Sequence, residues 1–231
     1  MMKFILKTLA TVMLISNIPA LAMSQTAGIY AVTITNLTHG QAFTPILVLS
    51  HLKDFTIFTA GSAPSAALSL LAEDGDIAPM AFVLQSSDAV FDIQNSEGLL
   101  EPGESVTVNI MGNEIYSRIS SVAMLIPTND AFFAMQGIKL PKGNKTRIAT
   151  AVAYDAGSEP NDESCESIPG LTCGGEGASP NAGGEGFIHV HAGIHGIGDL
   201  VASDQDWRNP VARITIARVS DERADAKRAG K

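Results

Sequence analysis

Apolar and polar positions alternate with period two through much of the chain, which predicts half-buried strands. In IYAVTITN, Tyr30, Val32 and Ile34 fall on one face and Ala31, Thr33 and Thr35 on the other. ESVTVNI aligns Val106, Val108 and Ile110, and PVARITIARV aligns Ala212, Ile214 and Ile216 against Val211, Arg213, Thr215 and Ala217. The runs TPILVLS, SSVAMLIP, AFFAMQGIKL, TRIATAVAY and GFIHVHAGI are apolar more continuously, as expected of strands that face a second sheet or a helix. The pattern therefore predicts an all-β domain, an antiparallel β-sandwich of about eight strands.

One stretch breaks that period. In GSAPSAALSLLAEDGDIAPMAFVLQSS, Pro64 precedes Leu68, Leu71 and Ala72 at helical spacing, and Gly75 supplies a stop. A second short helix is expected from Ala78 to Gln85, with Pro79 in its first turn. LLEPGES reads as a turn before a strand, and residues 157–186, rich in Gly, Pro, Ser and Glu, read as one long loop. The charged tail 220–231, SDERADAKRAGK, is expected to fray.

The first residues add a destination. Lys3 and Lys7 flank the start of an apolar stretch that ends in ALA at residues 20–22, the layout of a cleaved signal peptide over residues 1–22. Thr8, Thr11, Ser16, Asn17 and Pro19 interrupt the stretch, which argues against a membrane anchor, and no later segment is apolar for long enough to span a bilayer. The expected product is a secreted or periplasmic domain over residues 23–219 with no transmembrane segment.

Charge narrows the partners. The formal net charge is −9, and loss of the signal lysines makes the remainder more acidic. Nucleic acid and anionic lipid require a cationic patch, so neither is an expected partner. The two cysteines, Cys165 and Cys173, are expected to pair and close a small loop, since the C-x-x-C spacing of a zinc or redox pair is absent. No G-x-S-x-G elbow, P-loop or dinucleotide fingerprint occurs. Asn36 and Asn144 sit in N-x-T sequons, and Asn36 reads equally as a turn residue at a strand end.

Two groups of residues carry candidate chemistry. The first lies where two apolar strands stop in acidic turns, at Asp130 in IPTND and at Asp155 in YDAGSEPND. Calcium takes six to eight oxygen ligands, and loops at one end of a sandwich can supply them, although Asp and Asn also favour turns for backbone reasons. The second is FIHVHAGIHG, where His189, His191 and His195 have the spacing of a zinc site and offer a metalloenzyme as the rival reading, with a structural subunit of a surface assembly as the third. No general base stands at a characteristic spacing, and histidines capping a Gly-rich strand end explain the same pattern. Asp204 and Asp206 beside Trp207 read as an acidic turn, with Asp206 and Arg208 as a surface pair, and Glu73 to Asp76 as a helix end.

At the acidic turns the sequence resembles the spondin domain, the N-terminal module of F-spondin and mindin, which also occurs as a stand-alone exported protein in bacteria. TNLTHGQAFTPILV, SVAMLIPTNDAFFAMQGIKL, YDAGSEPND and NPVARITIARV carry the resemblance, in that order, over most of residues 28–219. It implies a C2-like sandwich with Ca2+ held between loops at one end. The implied ligands are Asp130, closing the P-x-x-D strand end, with Asp155 and Glu159 of the D-A-G-x-[D/E] loop. Glu159 stands where the family usually has Asp, and leaves Asp162 as the alternative third ligand. The resemblance further implies a non-enzymatic module for adhesion or extracellular recognition, with an extracellular or cell-surface ligand that the sequence does not name.

Overall fold

The computed structural model describes residues 27–179 and 182–219. The signal peptide expected over residues 1–22 and the tail expected to fray over residues 220–231 lie outside the described residues. Among the described residues no helix is long and apolar enough to cross a membrane.

Among the described residues, eight strands of five to ten residues and two of two residues build the domain. In chain order they are β1 (Gly28–Asn36), β2 (Ala42–Phe43), β3 (Leu47–His51), β4 (Val90–Asn95), β5 (Ser105–Gly112), β6 (Arg118–Ile126), β7 (Ala131–Lys139), β8 (Thr146–Asp155), β9 (His189–Val190) and β10 (Ala212–Arg218). Every pairing is antiparallel, along the path β4-β3-β6-β7-β8-β10-β1-β5, with β2 on β6 and β9 on β8. β8 joins the two halves of the sandwich. Its first residues, Thr146–Ala151, pair with β10, and its last, Val152–Asp155, pair with β7. The two ends of the path also meet, where the Met111 N–H of β5 donates to Asp92 of β4.

The layers explain the two hydrophobic patterns. Between the halves lies a core containing Val32, Ile34, Val108, Ile110, Ile214 and Ile216 from one sheet and Phe43, Ile119, Ala123, Leu125 and Phe133 from the other. The outer face of the β1 side is open, so its strands alternate. Thr33 and Thr107, and Thr35 and Ser105, pair their hydroxyls across that face at 2.8 Å. The other sheet is covered on both faces, because the helices α1 (Ala66–Asp74) and α2 (Ala78–Gln85) lay Leu68, Leu71, Ala72, Met80 and Leu84 on Leu47, Leu49, Val122 and Phe132. This second core is why β3, β6 and β7 read as continuous apolar runs.

The helical insertion lies where its punctuation predicts. Ser65 caps α1 by accepting from the Leu68 N–H at 3.2 Å, and Gly75 ends it in the left-handed region at φ 69°. α3 (Ala202–Gln205) is a single turn. Three features depart from the sequence reading. β4 was not expected, because an edge strand that buries little, VFDIQN, lacks a clean alternation. α3 was not expected either, as its acidic residues read only as a turn. GFIHVHAGI was expected as a full strand, yet only His189–Val190 pair as one. Gly193 and Gly196 take φ 97° and 71° there, and the Glu163 carboxylate captures the N–H groups of His195 and Ile197 that would otherwise continue a ladder.

Candidate metal centre

The acidic end of the sandwich is assembled by strand register. β6 leaves the sheet through a turn that Thr128 fixes, its hydroxyl donating to the Leu125 carbonyl at 2.5 Å and accepting from the Ala131 N–H at 3.2 Å. Asp130 closes this turn, and the next residue, Ala131, is paired with Asp155 across β7 and β8. The two aspartates therefore arrive together at one sheet end, and the Ala156 N–H donates to the Asp130 carbonyl at 3.2 Å.

The following loop folds back over them. Gly157, at φ 70°, donates its N–H to Asp155 Oδ1 at 2.7 Å, closing an Asx turn. Successive N–H groups of Ser158 and Glu159 donate to Asp130 Oδ2 at 2.8 and 3.1 Å, a small backbone nest around one carboxylate oxygen. Asn161 Nδ2 donates to Asp155 Oδ2. These bonds leave particular atoms without partners: Asp130 Oδ1 and both oxygens of Glu159 are buried with no hydrogen bond. Asp130 and Glu159 are 0% exposed and Asp155 1%.

Burial and mutual repulsion act in the same direction. Burial, followed by the neighbouring Asp155 charge, pushes the Asp130 carboxyl up to about 7. Burial, opposed by the nearby Ser179 side chain and reinforced by the charges of Glu73, Asp130 and Asp162, pushes Glu159 up to about 7. Asp155 is raised chiefly by burial, against the hydrogen bond from Asn161 and the nearby His189. Buried carboxylates with unpartnered oxygens fit a hard cation, which would replace the lost hydration and offset the repulsion.

The two candidates for the third position differ in their surroundings. Glu159 is enclosed and unpartnered, whereas Asp162 is exposed and occupied, its Oδ1 accepting from Asn129 Nδ2 at 3.1 Å and from the Ser164 N–H at 2.9 Å. Asp162 thus anchors the loop. Among the described residues, the group of three whose ligand atoms all lie within 4.8 Å of one another is a different one, Asp155, Glu185 and His189. Asp130, Asp155 and Glu159 do not form such a group among the described residues; what joins them is the Glu159 N–H on Asp130 Oδ2 and the pairing of Ala131 with Asp155.

The three-histidine arrangement does not form. His191 Nδ1 accepts from the Gly193 N–H at 2.9 Å, so the neutral ring carries its hydrogen on Nε2 and has no lone pair there for a metal. Burial, then the neighbouring His189 and His195, lowers its pKa to about 4, and the ring packs against Trp207 with centroids 4.9 Å apart. His195 is exposed, and its backbone N–H is bound by Glu163.

Two buried acids take roles that their places in the sequence, a helix end and an acidic loop, did not indicate. Glu163, 3% exposed at φ 57°, receives the His195 and Ile197 N–H groups at 2.6 and 2.8 Å and so ties the histidine segment to the acidic loop. Glu73 of α1 accepts from the Ser179 N–H at 3.0 Å and fastens the far part of the same loop to the helix layer. Nothing in local spacing marks either residue, since each partner is far away in sequence. The expected Cys165–Cys173 disulfide is present, with Cα atoms 4.7 Å apart, and the expected Asp206–Arg208 pair forms.

Comparison with known families matches residues 34–163 to the model described as Spondin_N. That segment contains Asp130, Asp155 and Glu159 and stops before Glu185 and His189. No curated protein matches the chain.

Proposed function

The chain belongs to the spondin N-terminal domain family, an extracellular-type domain, and from that premise we propose that it is an exported, non-enzymatic recognition module whose loops at one end are held by Ca2+. The observation that carries the reading is the unpartnered state of Asp130 Oδ1 and of both Glu159 oxygens inside the protein. Asp130, Asp155 and Glu159 would hold the ion, which supplies positive charge and a rigid tie among the β6–β7 turn, the β8 end and the long loop. Backbone carbonyls and water complete the shell that calcium requires.

The role that follows is mechanical. The long loop has little regular structure of its own, and its order comes from Glu73, Glu163, the disulfide and the carboxylate centre. A loop set in this way presents a fixed surface for adhesion to an extracellular or cell-surface ligand. Calorimetric titration with Ca2+ and thermal melts with and without chelator test the proposal. One ion should bind per chain, chelation should lower the Tm, and Asp155→Ala should abolish most of that difference. Identical melts with calcium and with chelator would sink it.

A further inference from the structure

The group of Asp155, Glu185 and His189 has no part in the calcium reading beyond the shared Asp155. The geometry points to a second divalent-metal site on these three side chains, suited to a first-row transition ion such as zinc. Their ligand atoms lie within 4.8 Å of one another. Asp155 and His189 are direct cross-strand partners in β8 and β9, which places their side chains on one face of the sheet.

The distances favour an ion over a hydrogen bond. His189 Nδ1 is buried and has no partner. It stands 3.6 Å from Asp155 Oδ1, too far to share a proton. Two ligands at tetrahedral positions around zinc, each about 2.0–2.2 Å from the ion, are separated by roughly 3.3–3.6 Å. The carboxylates are already oriented, because Asn161 Nδ2 donates both to Asp155 Oδ2 and, at 3.4 Å, to Glu185 Oε1. Asp155 Oδ1 also accepts from the Gly157 N–H at 2.7 Å and has a second lone pair for an ion, and the Phe187 ring lies beside the imidazole with centroids 5.3 Å apart.

Ligand type sets the metal. An imidazole nitrogen with two carboxylates suits zinc, whereas calcium and magnesium select oxygen. Glu185 is exposed and His189 half-buried, so the ion faces solvent and keeps a position open for water or for a donor atom of a partner.

Zinc titration of the purified full chain in saturating Ca2+ tests the site. One zinc should bind per chain, and His189→Ala and Glu185→Gln should each weaken it by at least about tenfold, as loss of a ligand demands. Both variants should keep the calcium-dependent rise in Tm, while Glu159→Gln should lose that rise and keep its zinc. Cobalt added in place of zinc should give visible absorption that His189→Ala removes. Absence of zinc binding, or binding undiminished in His189→Ala, overturns the second site. Loss of zinc together with the calcium response in Glu159→Gln also overturns it, by showing a single site. A chain that binds zinc through His189 but melts identically with calcium and chelator supports this site and refutes the calcium reading.

Discussion

Asp130 and Asp155, 25 positions apart in the chain, meet at one end of the sandwich because Ala131 of β7 is paired with Asp155 of β8. The Asp155 charge raises the cost of ionising Asp130, and Glu159 joins them through its own N–H on Asp130 Oδ2. A centre of this kind is stable in one of two ways, by taking up protons or by taking up a cation.

Glu159→Gln separates those alternatives by sign. Without calcium the substitution removes a buried, unpartnered carboxylate and should stabilise the protein by about 1–3 kcal/mol, seen as a Tm rise of ~2–4 °C per kcal/mol. With saturating calcium it removes a ligand and should lower the Tm relative to the unsubstituted chain. Melts of both proteins in both conditions check the reversal; the same sign in both would exclude Glu159 from the cation site.

The pH dependence follows from the same groups. Free carboxyls ionise near about 4, whereas Asp130 and Glu159 in the folded chain ionise at about 7. Between those values the folded state holds more protons than the unfolded one, so these groups stabilise fully below about 4 and lose that contribution as the pH rises through about 7. His191 acts in the opposite sense, since its lowered folded value of about 4 makes stability fall as the pH drops below about 6.5. The difference between the unsubstituted chain and Glu159→Gln cancels the histidine. In chelator the Tm advantage of the variant should be small at pH 4.5 and grow towards pH 8. An advantage independent of pH would show that Glu159 does not titrate in this range.

Glu163 carries a different burden. Its two oxygens hold the N–H groups of His195 and Ile197, and its own carbonyl accepts from Asp199. Glu163→Ala leaves two backbone donors without that carboxylate and should cost about 2–4 kcal/mol. Amide hydrogen exchange should speed up over residues 189–199 while the β1–β10 pairing keeps its protection. Uniform loss of protection would place Glu163 in the global fold instead of this segment.

How much of this was legible depended on whether the signal was local. Tyr30, Val32 and Ile34 announced their strand because one sheet face is open to solvent. Ser65 and Gly75 bounded α1 because caps act on their own helix, although Ser65 stood in a stretch read only for Pro64 and Gly75. Asp130, Asp155 and Glu159 were named through the family resemblance, and register accounts for the meeting of Asp130 and Asp155. β4 was hidden because it buries little, and Glu163 and Glu73 because their partners are 32 and 106 positions away. His189 and His191 were legible as metal-type residues, but the tautomer that removes His191 depends on the Gly193 turn.

The Cys165–Cys173 disulfide closes a short loop beside the carboxylate centre. Cys165 and Cys173 are separated by eight positions, and the chain-entropy account assigns a loop of that size about 2–3 kcal/mol. The loop is not free-standing: Ile168 within it is 0% exposed in the main core, the Cys165 N–H donates to Asp199 at 2.9 Å, and Gly175 returns an N–H to the Ile168 carbonyl at 3.0 Å. Replacing both cysteines by serine should therefore lower the Tm by ~4–12 °C, from about 2–4 °C per kcal/mol, without unfolding the sandwich. Because Asn129 Nδ2 bonds Ser167 and Asp162 on either side of Cys165, a loosened loop pulls on the turn that carries Asp130. Calcium affinity should fall with the Tm, and calcium should restore part of the lost stability. A variant that loses stability yet binds calcium with unchanged affinity would show that the disulfide loop and the carboxylate centre are independent.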